Sequence, residues 1–551
     1  MQPDLPETYY LDNVLTLFRH VSGLYADILD DDTLAFLHDF EALDDDARKL
    51  GIRLLNRRHD RFRLGKLDYA EIGDLEAAVE ALRAAGFIEV DGELDAPDLM
   101  SLYTRAELLS CAADDAGLRK LRRAELETEL LERDDADYFR RLRAGDRIIE
   151  LLRVDEYLIC QMLFFGNLNQ SMTDFVLRDL GLYRYETYTI DVGHRPYRDA
   201  LEIRQHWLLY QLEILFDMDP GDDPALLAEI ARLIPDDIDP QAPAYRRSER
   251  LRYEIARQYE RLDECETALE LYRQCRLPPS RERIARIRDR LGEQRAALDQ
   301  CLCIAEDPLD ESELQFAYGF AARLARRHGL ELPPSLDAAA GKHRPEIVDL
   351  ELEFEDSVEL AVAGYLDGLA DDERCYYLEN SLFNGVLGLL IWDAVFAPLP
   401  GAFYNPFQHR PSDFYAHDFC DRRRELLDDI WHSIGDNADI RHIVAARWQD
   451  KHGIMNPLVN WQALDLDIIE LALERIDYRH WRAVFARILA DLRNNRAGFP
   501  DLLHFPAAGG YCLVEVKGPG DSLQKNQQRW MQYFRQHDIP HRLARVTWRA
   551  K

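Results

Sequence analysis

One stretch limits the folds open to this chain more than any other. Residues 499–520 read FPDLLHFPAAGGYCLVEVKGPG, two short strand-like runs around a Gly509-Gly510 turn, in a chain that otherwise reads as helix. Side chains alternate between the faces of a strand. Leu513, Glu515 and Lys517 therefore share one face of the second run, and Cys512, Val514 and Val516 the other. Folding the hairpin brings Asp501, at the start of the first run, beside Glu515. Two carboxylates and an ammonium at one sheet edge fit a core poorly. They fit a site for a hard divalent cation with a positioned lysine. A helix, SLQKNQQRWMQYFRQHDI (522–539), and a further strand, HRLARVTW (541–548), follow.

The remaining sequence is helical in pattern. With 551 residues, 47% of them hydrophobic, the chain can build three or four domains with proper cores. YYLDNVLTLFRHV and DDTLAFLHDFEAL space apolar residues by three and four. LEAAVEALRAAGFIEVDGELDA predicts a helix, then Gly86, then a short strand pair. SLYTRAELLSCAADDAGLRKLRRAELETELLER (101–133) predicts two short helices around a basic turn, with Thr104 as an N-cap. Segments 254–272 and 283–301 repeat 29 residues apart, with Ile255, Ala256, Ala268 and Leu269 recurring as Ile284, Ala285, Ala297 and Leu298. Such spacing predicts stacked helix pairs extended by flanking helices. ELPPSLDAAAGKHRP (331–345) reads as a linker, and NSLFNGVLGLLIWDAVF (380–396) as a helix apolar nearly all round, hence buried.

Charge and cysteine usage narrow the class. No apolar run is long enough to span a membrane, and the N-terminus has no secretory pattern. The nine cysteines include no Cys-x-x-Cys pair, which predicts a reducing, cytoplasmic setting without a zinc site or disulfide framework. A net charge of −34 by itself argues against nucleic acid. Local stripes decide phosphate binding, however. Residues 53–66 hold six cations and one anion, and 273–290 hold seven cations and two anions. Arginine, which can grip a phosphate with two parallel bonds, outnumbers lysine 60 to 8. Duplex phosphates are expected at Arg53, Arg57, Arg58, Arg61, Arg63 and Lys66, and at Arg119, Lys120, Arg122 and Arg123.

Pro500-Asp501 followed by Glu515-Val516-Lys517 resembles the Asp…Glu-x-Lys nuclease superfamily, and the fuller string to Met531 is similar to a VRR-NUC domain, whose helix Gln is matched by Gln527. SVELAVAGYL (357–366) and LENSLFNGVLGLLIWDAVF (378–396) resemble the helical insert of the Fanconi-associated nuclease family, with Glu379 at that family's metal-binding Glu. Residues 101–133 resemble a SAP module, through Leu108-Leu109, Gly117-Leu118 and Leu126, and the repeats resemble tetratricopeptide helix pairs. The resemblance implies a multi-domain, mostly α protein. It would comprise an N-terminal helical, winged DNA-binding region (1–100), a SAP-like hairpin (101–140), tetratricopeptide-like repeats (141–344) and a nuclease domain with helical insert (345–551). The last would have an α/β restriction-endonuclease-like, PD-(D/E)xK core. Taken from the residues alone, Glu379 heads an apolar helix on the face of Leu382, Phe383, Val386 and Leu390. A carboxylate there needs a metal, a salt bridge or a helix N-terminus as partner.

The resemblance further implies a metal-dependent, structure-selective nuclease of the phosphodiesterase I class. It would act as 5′-flap endonuclease and 5′–3′ exonuclease on branched DNA in interstrand-crosslink repair. Two ions, Mg2+ or Mn2+, are expected: Asp501, Glu515 and the Val516 carbonyl would hold one, Glu515 and Glu379 the other. Lys517 would orient the attacking water, and Gln527 would position that water or Lys517. Arg281 and Arg283 lie where the family holds a 5′-terminal phosphate, although one basic position there is Ile287. The repeats could take protein partners. The zinc- and ubiquitin-binding segment of eukaryotic members has no matching cysteines, which points to a bacterial-type, nucleoid-associated member. A Holliday-junction resolvase and a non-enzymatic repair scaffold stay open as alternatives.

Overall fold

A computed structural model describes residues 8–549, apart from 58, 113, 114, 116, 171–174, 176–180, 182, 219–222 and 338–344. The expected phosphate contact at Arg58 thus lies outside the described residues. The chain divides into two units: residues 1–182 with 198–200, and residues 183–197 with 201–551. Among the described residues, no helix is long and apolar enough to cross a membrane.

In the first unit, the acidic runs begin helices. Asp30 and Asp44 accept the backbone N–H groups of Thr33 and Ala47 and so cap the helices Asp31–Ala42 and Asp45–Leu55. Phe18, Phe36, Phe40 and Phe87 pack edge-to-face and stacked in the core beneath them. The predicted wing takes a different form. Strand β2 (Ile88–Val90) does follow Gly86, but its partner is β3 (Ile148–Leu151), which also pairs with β1 (Arg61–Arg63). Residues 148–151 were expected among the repeats. They complete the N-terminal sheet instead, a pairing across some sixty residues that no local pattern announces.

In the second unit, helix pairs Tyr245–Arg261 with Cys265–Gln274 and Ser280–Arg290 with Gln294–Glu306 repeat at the predicted offset. Even their turns match: Asp263 and Gly292 both take positive φ, and Glu264 and Glu293 donate backbone N–H groups to the carbonyls of Tyr259 and Arg288.

The C-terminal sheet has five strands where three were expected. Its order is β4 (Ile347–Leu352), β8 (His541–Trp548), β7 (Cys512–Lys517), β6 (Leu502–Phe505), β5 (Arg374–Tyr377). β7 runs parallel to β8, with the helix Lys525–Gln536 as crossover, and antiparallel to β6. The two unpredicted strands are the half-exposed edges: β4 alternates, with Val348, Leu350 and Leu352 turned inward between exposed Asp349 and Glu351, whereas the four-residue β5 does not alternate. Both faces of the sheet are covered. Leu502, Val514 and Val516 pack with Val362 and Leu366 of the helix Val358–Asp367. Leu503 and Leu513 join the core built around Phe383, Trp481, Phe499 and Trp530.

The apolar run 380–396 forms two helices, Leu382–Leu390 and Trp392–Val395, and every residue of the first is buried. Gly388 lets it seat closely: a Cβ there would meet Leu458 at 2.8 Å and Val459 at 2.9 Å. Phe383 stacks on Phe499 with ring centroids 5.4 Å apart. That contact ties this helix to the loop entering β6.

Candidate active site

The register of the hairpin builds the centre of the site. β6 and β7 pair Leu502 with Val514 and Leu503 with Leu513, and the same register carried one step further sets Asp501 opposite Glu515. Asp501 Oδ2 accepts the Val516 N–H at 2.8 Å. Lys517 Nζ stands 2.8 Å from Glu515 Oε1. The two form a buried ion pair, and among the described residues neither oxygen of Glu515 has a donor besides this ammonium. Glu515 is fully buried and Asp501 is 8% exposed.

Burial without donors disfavours the charged forms. Burial pushes the Glu515 carboxyl up to about 7, with the negative charges of Asp501 and Glu379 adding to the shift and Lys517 opposing it. Asp501 rises to about 6, again mainly through burial; Glu379 and Glu359 push it further, against the Val516 N–H and Lys517. The site thus lies on the interior strands β6 and β7, not at the sheet edge expected; Asp501 feels Glu379 and Glu359, Glu515 feels Asp501 and Glu379, and a divalent cation is the chemistry that such a carboxylate set suits. Among the described residues, no three His, Cys, Asp or Glu side chains already stand as a finished metal cage.

Glu379 departs from the expected placement. It is exposed, on a turn between β5 and the helix Leu382–Leu390, not on that helix's buried face. Asn380, with φ +54°, breaks the run that the sequence presents as one helix. Tyr377 donates its hydroxyl to Glu379 Oε2 at 2.9 Å, and Asn380 Nδ2 donates to Oε1 at 3.0 Å. The Leu378 N–H donates to the Asp501 carbonyl at 3.0 Å, which holds this turn against the start of β6. A cavity of about 340 Å³ opens beside Glu379, lined also by Asn384, Asn460 and Arg496.

Gln527 makes no hydrogen bond to Lys517 among the described residues. Its Oε1 accepts the Gln524 N–H at 2.9 Å and caps the crossover helix.

Many of the expected phosphate contacts are engaged by carboxylates. Arg53 donates to Glu71 at 2.8 Å and lies over the Tyr10 ring. Arg61 pairs with Asp98 and Glu150, and Arg63 with Glu107 and Asp146. Arg123 pairs with Glu127 and donates to the Met100 carbonyl. Arg281 is held by Glu313 and the Asp307 carbonyl, and Arg283 by Glu260. Arg57, Lys120 and Arg122 remain exposed, as does Arg119, and exposed Lys66 leans on Glu107 at 3.3 Å.

Three cations that the sequence reading passed over stand differently. Arg410, Arg493 and Arg496 surround the Tyr415 ring, at 4.7, 5.8 and 5.0 Å from its centroid, and make no ion pair among the described residues. Arg493 and Tyr415 line a cavity of about 190 Å³, and Arg496 lines the cavity beside Glu379. No charge run marks them; the one local signal is that Arg493 and Arg496 directly precede Pro500-Asp501.

Comparison with known proteins meets this geometry. The VRR-NUC domain family matches residues 436–548, which include Asp501, Glu515 and Lys517 but not Glu379. The family described as FAN1, HTH domain matches residues 8–89. A Fanconi-associated nuclease 1 homolog of Pseudomonas aeruginosa is 35% identical, covering 99% of this chain and 97% of that protein. A homolog from Oryza sativa subsp. japonica is 25% identical over 96% of this chain and 61% of its own length. A crystal structure of paFAN1 bound to DNA with a two-nucleotide 5′ flap and a gap is similar over all of both chains, at 33% identity and a TM-score of 0.83.

Proposed function

The chain belongs to the Fanconi-associated nuclease family, with a C-terminal VRR-NUC domain, and from that premise we propose that it hydrolyses phosphodiester bonds near the junctions of 5′-flap DNA, using two divalent cations, in interstrand-crosslink repair. The nuclease activity goes with the family. The paFAN1 structure bound to 5′-flap DNA supports the substrate class. One observation supports the metal most: Glu515, buried at the centre of the sheet beside a second carboxylate, Asp501, has no donor besides the Lys517 ammonium among the described residues.

In this proposal Asp501, Glu515 and the Val516 carbonyl would hold one cation, and Glu515 with Glu379 would hold the other. When bound, Mg2+ or Mn2+ polarises the phosphodiester and lowers the pKa of an attacking water. Lys517, poised beside Glu515, orients that water and offsets negative charge developing on the phosphoryl oxygens. Gln527 keeps the crossover helix, and so β7, in place through its cap.

The DNA path changes with the ion pairs just described. We place phosphates along Arg496, Arg493 and Arg410, which lead away from Glu379, and on exposed Arg57, Lys120 and Arg122. Arg281 and Arg283 act as braces for the helix pairs. Residues 101–140 remain SAP-like and the helix pairs tetratricopeptide-like in this proposal, the latter as the surface for protein partners. The first domain takes in residues 148–151.

Cleavage of labelled 5′-flap, 3′-flap and four-way-junction DNA, with Mn2+ or with chelator, tests the proposal. Preferential Mn2+-dependent cutting of the 5′ flap is expected. Preference for the four-way junction would favour a resolvase, and no cutting of any substrate a scaffold.

A further inference from the structure

We infer that Tyr377 and Asn380 are positioning residues of the metal site: together they fix the Glu379 carboxylate and register it against the loop that carries Asp501. The inference rests on the cation-binding role proposed above for Glu379. An exposed glutamate on a turn ordinarily samples several rotamers. Here each oxygen is held, Oε2 by the Tyr377 hydroxyl at 2.9 Å and Oε1 by Asn380 Nδ2 at 3.0 Å. Each oxygen keeps a further lone pair with which to meet a cation.

Asn380 also reaches the other way. Its Oδ1 accepts the N–H of Phe499, two residues before Asp501, at 3.1 Å. One side chain thus spans the third carboxylate and the loop of the first, 119 residues away in sequence. The turn is built for this. Asn380 takes a left-handed φ of +54°, which asparagine adopts more readily than most residues. Its carbonyl is stapled by Asn384 Nδ2 at 2.6 Å, and the same Nδ2 donates to the Arg496 carbonyl at 2.7 Å. A ligand held in place loses less conformational freedom when it binds than a mobile one does. Partners that orient metal ligands typically contribute about ten- to a hundredfold in affinity.

The test is calorimetric titration of the full-length protein with Mn2+, without DNA, together with the Mn2+-induced rise in melting temperature. Tyr377→Phe deletes one hydroxyl; Asn380→Gly deletes both side-chain bonds yet suits the positive φ. Each is expected to raise the Mn2+ Kd by about tenfold, with cleavage recovering at high Mn2+. In a Glu379→Gln background, Tyr377→Phe is expected to add nothing, because the group it orients has lost its charge. Should Asn380→Gly also lower the metal-free melting temperature, Tyr377→Phe decides. An unchanged Kd in both single variants, with a raised Kd in Glu379→Gln, overturns the positioning role and leaves the metal role of Glu379 standing. An unchanged Kd in Glu379→Gln itself overturns both.

Discussion

The second unit contains two kinds of buried carboxylate. Asp413 receives two bonds from buried Arg423, at 2.8 and 3.0 Å, and a third from Arg422. Glu313, with no exposed surface, receives two bonds of 2.6 Å from Arg281 and the Leu309 N–H at 3.0 Å. Glu515 is equally buried and has only the Lys517 ammonium, 2.8 Å from one oxygen; Asp501 receives one backbone N–H. The first kind is satisfied by the fold. The second is left for something the polypeptide does not supply. Burial alone therefore does not mark the site; burial with unmet acceptors does.

Exchanging the charges at the two places gives the largest expected effects. Asp501→Ala and Glu515→Gln are expected to abolish cleavage at saturating Mn2+ while metal-free stability holds or rises, since mutual repulsion and the burial of a charge are relieved. Arg423→Met, which leaves Asp413 buried without its main partner, is expected to lower unfolding free energy by about 3–5 kcal/mol. Denaturant melts and single-turnover cleavage measure both. A Glu515→Gln protein destabilised as strongly as Arg423→Met would erase the distinction drawn here.

Lys517→Ala comes next. Lys517 contributes positioned charge and no ligand, so the rate is expected to fall by roughly a hundredfold or more, with Mn2+ affinity close to wild type. Calorimetry beside single-turnover rates separates the two; lost affinity with a normal rate would make Lys517 a partner of Glu515 in metal binding instead.

The pH dependence of the metal-free protein sharpens the contrast. The carboxyls of Asp501, at about 6, and Glu515, at about 7, lie above their ordinary values. A raised carboxyl binds its proton more tightly folded than unfolded. Its contribution to stability is therefore full below the unfolded value, near 4, and is lost as pH rises through 6 to 7. The melting temperature is expected to decline over that window, Glu515→Gln to flatten the decline, and Mn2+ to reverse it, because cation binding displaces the protons. A wild-type profile that rises from pH 5 to 8 without metal would contradict the unmet burial of these groups.

Much of the centre was legible because its signal is local. Alternation within six residues assigned the faces of β7, and the Gly-Gly turn set the register that opposes Asp501 and Glu515. Of the edge strands, β5 carries no alternation to read, while β4 does alternate, Val348, Leu350 and Leu352 against Asp349 and Glu351, but its signal is short and runs into the acidic stretch that ends at Asp356. Glu379 was found by resemblance but misplaced: Asn380 breaks the helix in a stretch whose apolar content continues without interruption. The fate of the arginines was hidden for a different reason. Their carboxylate partners lie far along the chain, Glu71 for Arg53, Glu150 for Arg61 and Asp146 for Arg63. Three cations of that stripe, Arg53, Arg61 and Arg63, are thus paired within the fold, while Arg57 and Lys66 stay exposed.

The smallest expected effect follows from that last point and separates braces from phosphate contacts. Arg493 and Arg496 lie beside Tyr415 without carboxylates, whereas Arg281 and Arg283 are held by Glu313 and Glu260. Each phosphate contact releases counterions, so its loss lowers the slope of log K against log salt by about 0.7–0.9. Arg493→Gln and Arg496→Gln are each expected to reduce the slope for flap DNA by about that amount, with little change in melting temperature. Arg281→Gln is expected to leave the slope unchanged and to lower the melting temperature, because Glu313 stays buried with one strong partner fewer. Titrations of labelled flap DNA at several salt concentrations, beside thermal melts, read both quantities. A slope that moves with Arg281 and not with Arg493 or Arg496 would return the phosphate path to the helix pairs and make the Tyr415 cluster a packing feature.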